Sequence, residues 1–245
     1  MIKLGVKIKK ETVLDLLYPR RCPFCQEIAG YGRLICKRCE TDIPYIEEPA
    51  CMKCGKPLQE EEEAKEYCMD CQRHERNFER NYGLLRYNEK ARKSIYRFKY
   101  GNRREYADWY AREIVRHYKR QWEQIEFAYI VPVPIHKKKR RQRGYNQAEV
   151  FGKKLGELLG VPCLAHGLLR VIDTRPQKEL DNKGRYKNLK KAFSVGELPE
   201  GEYNILLVDD IYTTGATMEA CTSVLLEQDQ VKKVYTCTIC VGNGF

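Results

Sequence analysis

Residues 204–217 read NILLVDDIYTTGAT. An apolar run ends in two adjacent carboxylates, Asp209 and Asp210. A hydroxyl-rich turn follows at once, made of Thr213, Thr214, Gly215, Ala216 and Thr217. A buried strand stopping here would deliver the acids to the end of a sheet. The turn then opens a helix, whose unpaired N–H groups and dipole favour an anion. The threonines add donors, and Gly215 lets the backbone approach a phosphate closely. Carboxylates repel phosphate, but they accept hydrogen bonds from vicinal hydroxyls or hold a hydrated Mg²⁺. Together these residues describe a site for a ribose 5-phosphate. A Walker B strand also ends in acids. It needs a partner loop Gly-x-x-x-x-Gly-Lys-Ser/Thr, and here Gly55-Lys56 precedes Pro57 and Gly152-Lys153 precedes Lys154.

The second chemistry-bearing set is a series of four Cys-x-x-Cys pairs: Cys22/Cys25, Cys36/Cys39, Cys51/Cys54 and Cys68/Cys71. Each pair offers two thiolates with little strain, and two pairs make one closed tetrahedral Zn²⁺ site. One pair alone would leave an iron–sulfur centre or a redox dithiol open. Four evenly spaced pairs favour two zinc ions, both structural because no ligand position is left for water. First with second and third with fourth is the simplest pairing. The intervening loops are short for a ribbon, so an interleaved pairing stays open. Cys237 and Cys240 lie in VYTCTICV, which alternates like a strand and puts positions i and i+3 on opposite faces, so they are not read as ligands. Cys163 and Cys221 read as small core residues.

A third stretch, IVPVPIHKKKRRQRGYNQAE, also runs from a buried strand toward a helix, and six of its residues 137–143 are Lys or Arg. The chain carries a net charge of +11, and the excess lies entirely after residue 79. Such a field suits a phosphorylated partner, either a small ester or nucleic acid. His136 is the one histidine close to these motifs.

The elements that must position these residues alternate. Strands are predicted at 82–87, 128–134, 204–210 and 231–241. Helices are predicted at 12–18, 88–101, 105–122, 147–159 and 216–227, with a long connector over 171–191. Strand–helix alternation implies an α/β fold, a parallel sheet with helices on both faces, whose ligands sit beyond the carboxyl ends of the strands. The expected division is a small Cys-rich zinc-ribbon domain with an N-terminal helix at 1–79, and the α/β domain at 80–245. No run of about 18 apolar residues exists, so no membrane span is expected. The N-terminus lacks a signal-peptide pattern, so a cytoplasmic protein is expected.

ILLVDDIYTTGAT resembles the motif by which type I phosphoribosyltransferases bind phosphoribosyl pyrophosphate (PRPP). The resemblance implies a type I phosphoribosyltransferase-like sheet. It assigns Asp209 and Asp210, as the catalytic acids, to the ribose hydroxyls, and Thr213 to Thr217 to the 5-phosphate. Val133, Pro134, Ile135, His136 and Lys137 fall where such proteins bind pyrophosphate with Mg²⁺. PVPIHKKKRRQRGYNQAE further resembles the signature of the ComF family, competence-associated proteins that join a zinc module to such a domain. LLYPRRCPFC, RFKYG at 97–101 and RPQKELDNKGRYKNLKKAF at 175–193 fit it too. The family resemblance marks Arg140, Arg143, Gly144, Asn146 and Gln147 in the basic signature loop. It also marks Gln177, Arg185 and Asn188 in a flexible lid.

What the resemblance implies is a PRPP-binding protein linked to DNA uptake and natural transformation. An active member would be a Mg²⁺-dependent transferase. Relatives that act on 6-oxopurines carry an aspartate where this chain has Thr213, which argues against that acceptor and names no other. The alternative is a regulatory or single-stranded nucleic-acid-binding module without turnover, in which residues 137–143 supply charge and Tyr145 a stacking ring. Competence proteins are the expected protein partners, and the oligomeric state is left open.

Overall fold

The computed structural model describes residues 19–59, 65–172 and 189–242. The expected helix at 12–18 lies outside them. The chain divides into two compact units, Met1–Ile43 and Pro44–Phe245.

Among the described residues the small unit holds one Cys cluster. Cys22 and Cys25 sit on a tight knuckle. Its closing bonds run from Cys22 N–H to the Glu27 carbonyl (2.8 Å) and from Gln26 N–H to the Cys22 carbonyl (3.0 Å). Cys36 begins the one-turn helix α1 (Lys37–Glu40), and Cys39 lies within it.

The larger unit opens with a second knuckle of the same design. Cys51 N–H donates to the Lys56 carbonyl (2.8 Å), and Gly55 N–H to the Cys51 carbonyl (2.9 Å). Cys68 begins α2 (Met69–Arg73), which contains Cys71. The boundary expected from the sequence falls at residue 79, after both clusters. The second cluster instead shares a compact unit with the α/β fold, because Cys51, Cys54, Cys68 and Phe78 are buried with residues of the sheet.

The sheet contains β1 (Asn81–Arg86), β2 (Phe127–Pro132), β5 (Tyr203–Tyr212) and β6 (Val231–Val241), ordered β1-β6-β5-β2. All three pairings are parallel. The continuous apolar run 205–208 of β5 is fully buried, which reflects cover on both faces. Both edges are covered: Ile46 N–H donates to the Leu84 carbonyl beside β1, and Leu164 N–H to the Ile130 carbonyl beside β2.

One face carries α3 (Glu89–Tyr100), α4 (Tyr106–Trp122) and α6 (Gln147–Leu159). In α3, Asn88 caps the start by accepting from Ala91 N–H (2.9 Å). Ala91, Ser94, Ile95 and Phe98 form its buried stripe. Gly152 lets α6 come close to the sheet, since a Cβ there would stand 3.1 Å from Val208. The other face carries α7 (Ala216–Leu225) and a short antiparallel pair, β3 (Leu168–Arg170) with β4 (Phe193–Val195). At three residues each, these strands carry no periodicity that would announce them. Residues 137–143, expected as a basic loop, form the helix α5 (Lys137–Arg143).

Candidate functional site

Each Cys cluster brings four thiols together in chain order: Cys22, Cys25, Cys36 and Cys39 in one, Cys51, Cys54, Cys68 and Cys71 in the other. The pairing is consecutive, not interleaved. All ligand atoms of a set lie within 4.8 Å of one another. The Cys25–Cys36 and Cys54–Cys68 sulfurs are 3.5 and 3.6 Å apart. A tetrahedron with Zn–S bonds of about 2.3 Å has edges of about 3.8 Å, so both sets fit Zn²⁺. Cys237 and Cys240 are buried in β6, outside any such set among the described residues. Cys221 is buried, whereas Cys163 is half-buried.

The acid pair lies near the carboxyl end of β5. Being consecutive on a strand, Asp209 and Asp210 point to opposite faces. Asp210 is buried on the α3 side, where Lys99 Nζ meets its Oδ1 at 2.8 Å. Burial works against the Lys99 ammonium, but the Asp210 and Asp209 charges outweigh it and hold its pKa above the ordinary value. Asp209 points toward α7 and β3. Its Oδ1 accepts from the Asp210 N–H at 2.8 Å. Burial, and then the neighbouring Asp210 charge, push its pKa up to about 7.

After the acids, Tyr212 buries its ring and the chain turns. Thr213 and Thr214 are exposed. Gly215 takes φ 78° and starts α7. A Cβ at this position would stand 2.2 Å from the Tyr212 hydroxyl oxygen, so side chain and conformation both require glycine. Thr214 Oγ1 accepts from Ala216 N–H at 3.4 Å.

The strand register puts Pro132 opposite Val208, so the chain leaves β2 beside the acids. Val133 is already committed: its N–H donates to the Val208 carbonyl (2.9 Å), and its carbonyl accepts from Asn146 Nδ2 (3.0 Å). Pro134 has no N–H to offer, and Ile135, His136 and Lys137 carry the chain from there into α5. The His136 ring accepts from Lys138 N–H (3.4 Å) at the start of α5.

The signature residues lock onto the end of α3. Tyr145 Oη donates to the Phe98 carbonyl, and Gln147 Nε2 to the Lys99 carbonyl (3.3 Å). Arg143 donates to Gln147 Oε1 and to the Tyr100 hydroxyl, each at 2.9 Å. Gly144 at φ 78° ends α5, and Asn146 caps α6 by accepting from Ala148 N–H (3.2 Å). Arg140 pairs with Glu149 at 3.1 Å. RFKYG and RGYNQ thus form one interlocked unit that aims Lys99 at Asp210. In the sequence Lys99 reads as one more cation on a helix, and only its contact across the fold marks it. The stacking role for Tyr145 is corrected: the ring is 4% exposed, under the Arg104 guanidinium. Gln177, Arg185 and Asn188 lie outside the described residues.

A parallel sheet flanked by helices, with paired acids at a strand end and two Cys₄ clusters before it, defines an α/β protein that carries a zinc-ribbon region. A family model, the double zinc ribbon domain, matches residues 13–72. Competence protein F of Haemophilus influenzae is 32% identical over 214 residues, covering 84% of this chain and 90% of the relative. Competence protein ComFC of Bacillus subtilis is 26% identical over 211 residues, covering 84% and 83%. DNA utilization protein YhgH of Escherichia coli is 33% identical over 97 residues, covering 40% and 42%. Among solved structures, adenine phosphoribosyltransferase of Saccharomyces cerevisiae is 16% identical with a TM-score of 0.39, covering 56% of this chain and 68% of that one. The chain belongs to the ComF family of competence proteins.

Proposed function

We propose that the chain binds PRPP, or a related phosphoribosyl ester, beyond the carboxyl end of β5. The observation that carries this reading is the acid pair ending a buried parallel strand and running through a left-handed Gly215 into α7. Asp209 and Asp210 accept from the ribose hydroxyls. The N–H groups and hydroxyls of Thr213, Thr214, Gly215, Ala216 and Thr217 enclose the 5-phosphate. Residues 135–137 lie where this reading puts the pyrophosphate, beside the acids that end β5. The acids point apart and form no cation cage of their own, so Mg²⁺ belongs to this reading as the companion of the pyrophosphate. In a transfer reaction the C1–O bond to pyrophosphate breaks while a nitrogen nucleophile forms a C1–N bond. The protein's share is then orientation and charge stabilisation.

Calorimetric titration of the zinc-loaded protein with PRPP and Mg²⁺ tests the reading, beside the Asp209→Asn/Asp210→Asn double variant. Micromolar binding that the variant loses supports it. A folded wild-type protein that ignores PRPP overturns it. Pyrophosphate release in a screen of bases and amines then identifies turnover and the acceptor.

A second reading, single-stranded DNA binding, is favoured by an exposed ring pair. Tyr96 and Tyr100 are 63% and 49% exposed, with centroids 4.9 Å apart. Arg143 lies 4.8 Å over the Tyr100 ring, next to the cationic helix α5. Rings beside cations suit unstacked bases. The names of the relatives speak of competence and DNA utilization, so competence proteins and DNA are the macromolecular partners this reading implies. Thiolate clusters persist in a reducing compartment, and a cytoplasmic location goes with it. Among the described residues no helix is long and apolar enough to cross a membrane.

A further inference from the structure

The second Cys cluster and the threonine loop are joined by contacts that a purely structural metal site does not need. Asp70 lies between the ligands Cys68 and Cys71. Its Oδ2 accepts from Arg76 Nη2 at 2.8 Å and from Lys56 Nζ at 3.4 Å. The same Arg76 nitrogen donates to the Thr214 carbonyl at 3.1 Å. Only 9% of the Arg76 side chain is exposed, whereas its partners Asp70 and Thr214 reach the surface. The next residue holds the start of α7: Asn77 N–H donates to Glu219 Oε2 at 3.0 Å, and its side-chain amide donates to Glu219 and to Ser223 Oγ (3.2 Å). Beneath the loop, the Tyr212 ring lies under Gly215 and packs edge-on against Phe78, with centroids 6.2 Å apart. Lys56 Nζ stands 6.0 Å from the centroid of that ring.

We propose that Arg76 is a positioning residue for the threonine loop, and that metal at Cys51, Cys54, Cys68 and Cys71 sets the affinity of that loop for a phosphate ester. The proposal rests on the ligand reading above. α2 has five residues, too few to persist without a cross-link. Metal at the cluster fixes α2, α2 fixes Asp70, and Asp70 fixes the guanidinium on the Thr214 carbonyl. Without metal the buried arginine loses its carboxylate, and the loop loses the bond that holds its peptide planes. Linkage makes the coupling reciprocal, so a ligand on the loop must tighten the grip on the metal by the same factor.

Hydrogen exchange on full-length zinc-loaded protein, without ligand, tests the first half. The Arg76→Met variant is expected to keep two zinc ions and the slow exchange of β6. Exchange at 213–217 should rise about tenfold, with Arg76→Lys intermediate. Wild-type protection at 213–217 in the methionine variant overturns the proposal. If that variant fails to fold, Asp70→Asn replaces it in the same measurement with the same two outcomes. The second half uses PRPP with Mg²⁺ as probe. Saturating PRPP should slow the loss of one of the two zinc ions to a chelator by about tenfold, and Arg76→Met should weaken PRPP binding by a similar factor. Equal zinc loss with and without bound PRPP overturns the coupling. A wild-type protein that does not bind PRPP refutes the ligand reading, while the ligand-free exchange comparison still decides the role of Arg76.

Discussion

The two Cys clusters are the same device in different surroundings. Each joins a knuckle to the start of a short helix, and each closes the knuckle with the same pair of backbone bonds. Each also turns through a left-handed residue directly after its second cysteine. In the small unit that residue is Gln26, at φ 67°. In the larger unit it is Gly55, at φ 71°. The difference has a visible cause. A Cβ on Gly55 would stand 2.9 Å from the Asn81 carbonyl oxygen at the start of β1. Asn81 itself donates to the Cys54 carbonyl (3.0 Å) and to Thr238 Oγ1 of β6 (3.2 Å). The second knuckle is therefore fitted to a sheet, whereas the first tolerates a side chain. The shared Cys-x-x-Cys pairs say which ion is held; the residues between and after the ligands say what the ion holds in place.

Metal removal should separate the clusters most strongly. Ser at Cys51 and Cys54 is expected to destabilise the larger unit as a whole, since structural zinc contributes on the order of 10 kcal/mol in small domains. Ser at Cys22 and Cys25 should leave the exchange protection of β5 and β6 at wild-type levels. Thermal unfolding and exchange of the two variants, side by side, would collapse the distinction if both behaved alike.

Next in size is the support on the opposite face. Lys99→Met strands the buried Asp210 carboxylate, and losing one partner of such a pair costs about 3 kcal/mol. Urea titration should read this loss, and adding Asp210→Asn should recover most of it. Zinc content and the exchange of 213–217 should stay unchanged, because this support is independent of the cluster.

The knuckle comparison gives a smaller, signed pair. Gly55→Ala should cost about 2 kcal/mol, from strain at positive φ and the clash with Asn81. Gln26→Gly should be neutral or gain about 1 kcal/mol, since the strained left-handed residue is relieved. Costs of equal size would mean that the two knuckles see equal surroundings.

A further effect is proton-linked. The folded state holds the Asp209 pKa up to about 7, against an ordinary value of 3.8. Between these limits the folded chain binds more protons than the unfolded chain, so stability falls as pH rises through that window. Asp209→Asn should therefore melt a few degrees above wild type at pH 8 and level with it below pH ~4. A difference that does not change with pH would place the Asp209 pKa at its ordinary value.

Much of the site was legible before any coordinates. NILLVDD announces a buried strand because apolar residues run without alternation. Gly215 and the threonines announce the turn because few other functions need those types together. The helices at 88–101 and 147–159 show themselves through Asn caps and terminal glycines. Lys99 and Arg76 did not show themselves, since each acts across the fold on a partner more than a hundred residues away. β3 and β4 are three residues each and carry no periodicity. KKKRRQR looks like a solvated loop because it has no apolar face, and its helix is set instead by the His136 start and the left-handed Gly144. The second cluster's membership in the larger unit was hidden for a similar reason: ligand spacing is local, and burial against a sheet is not.

The strand order β1-β6-β5-β2 has a consequence for synthesis. β1 is the first strand made, and its sheet neighbour β6 is the last, about 150 residues later in the sequence. β6 also separates β1 from β5. On the ribosome, the Cys51–Cys71 cluster can take up its ion early, but β1 has no parallel neighbour until residues 231–241 emerge. The nascent chain must therefore carry apolar strands unpaired for most of its translation, a long-range closure of the kind that folds slowly and invites chaperones.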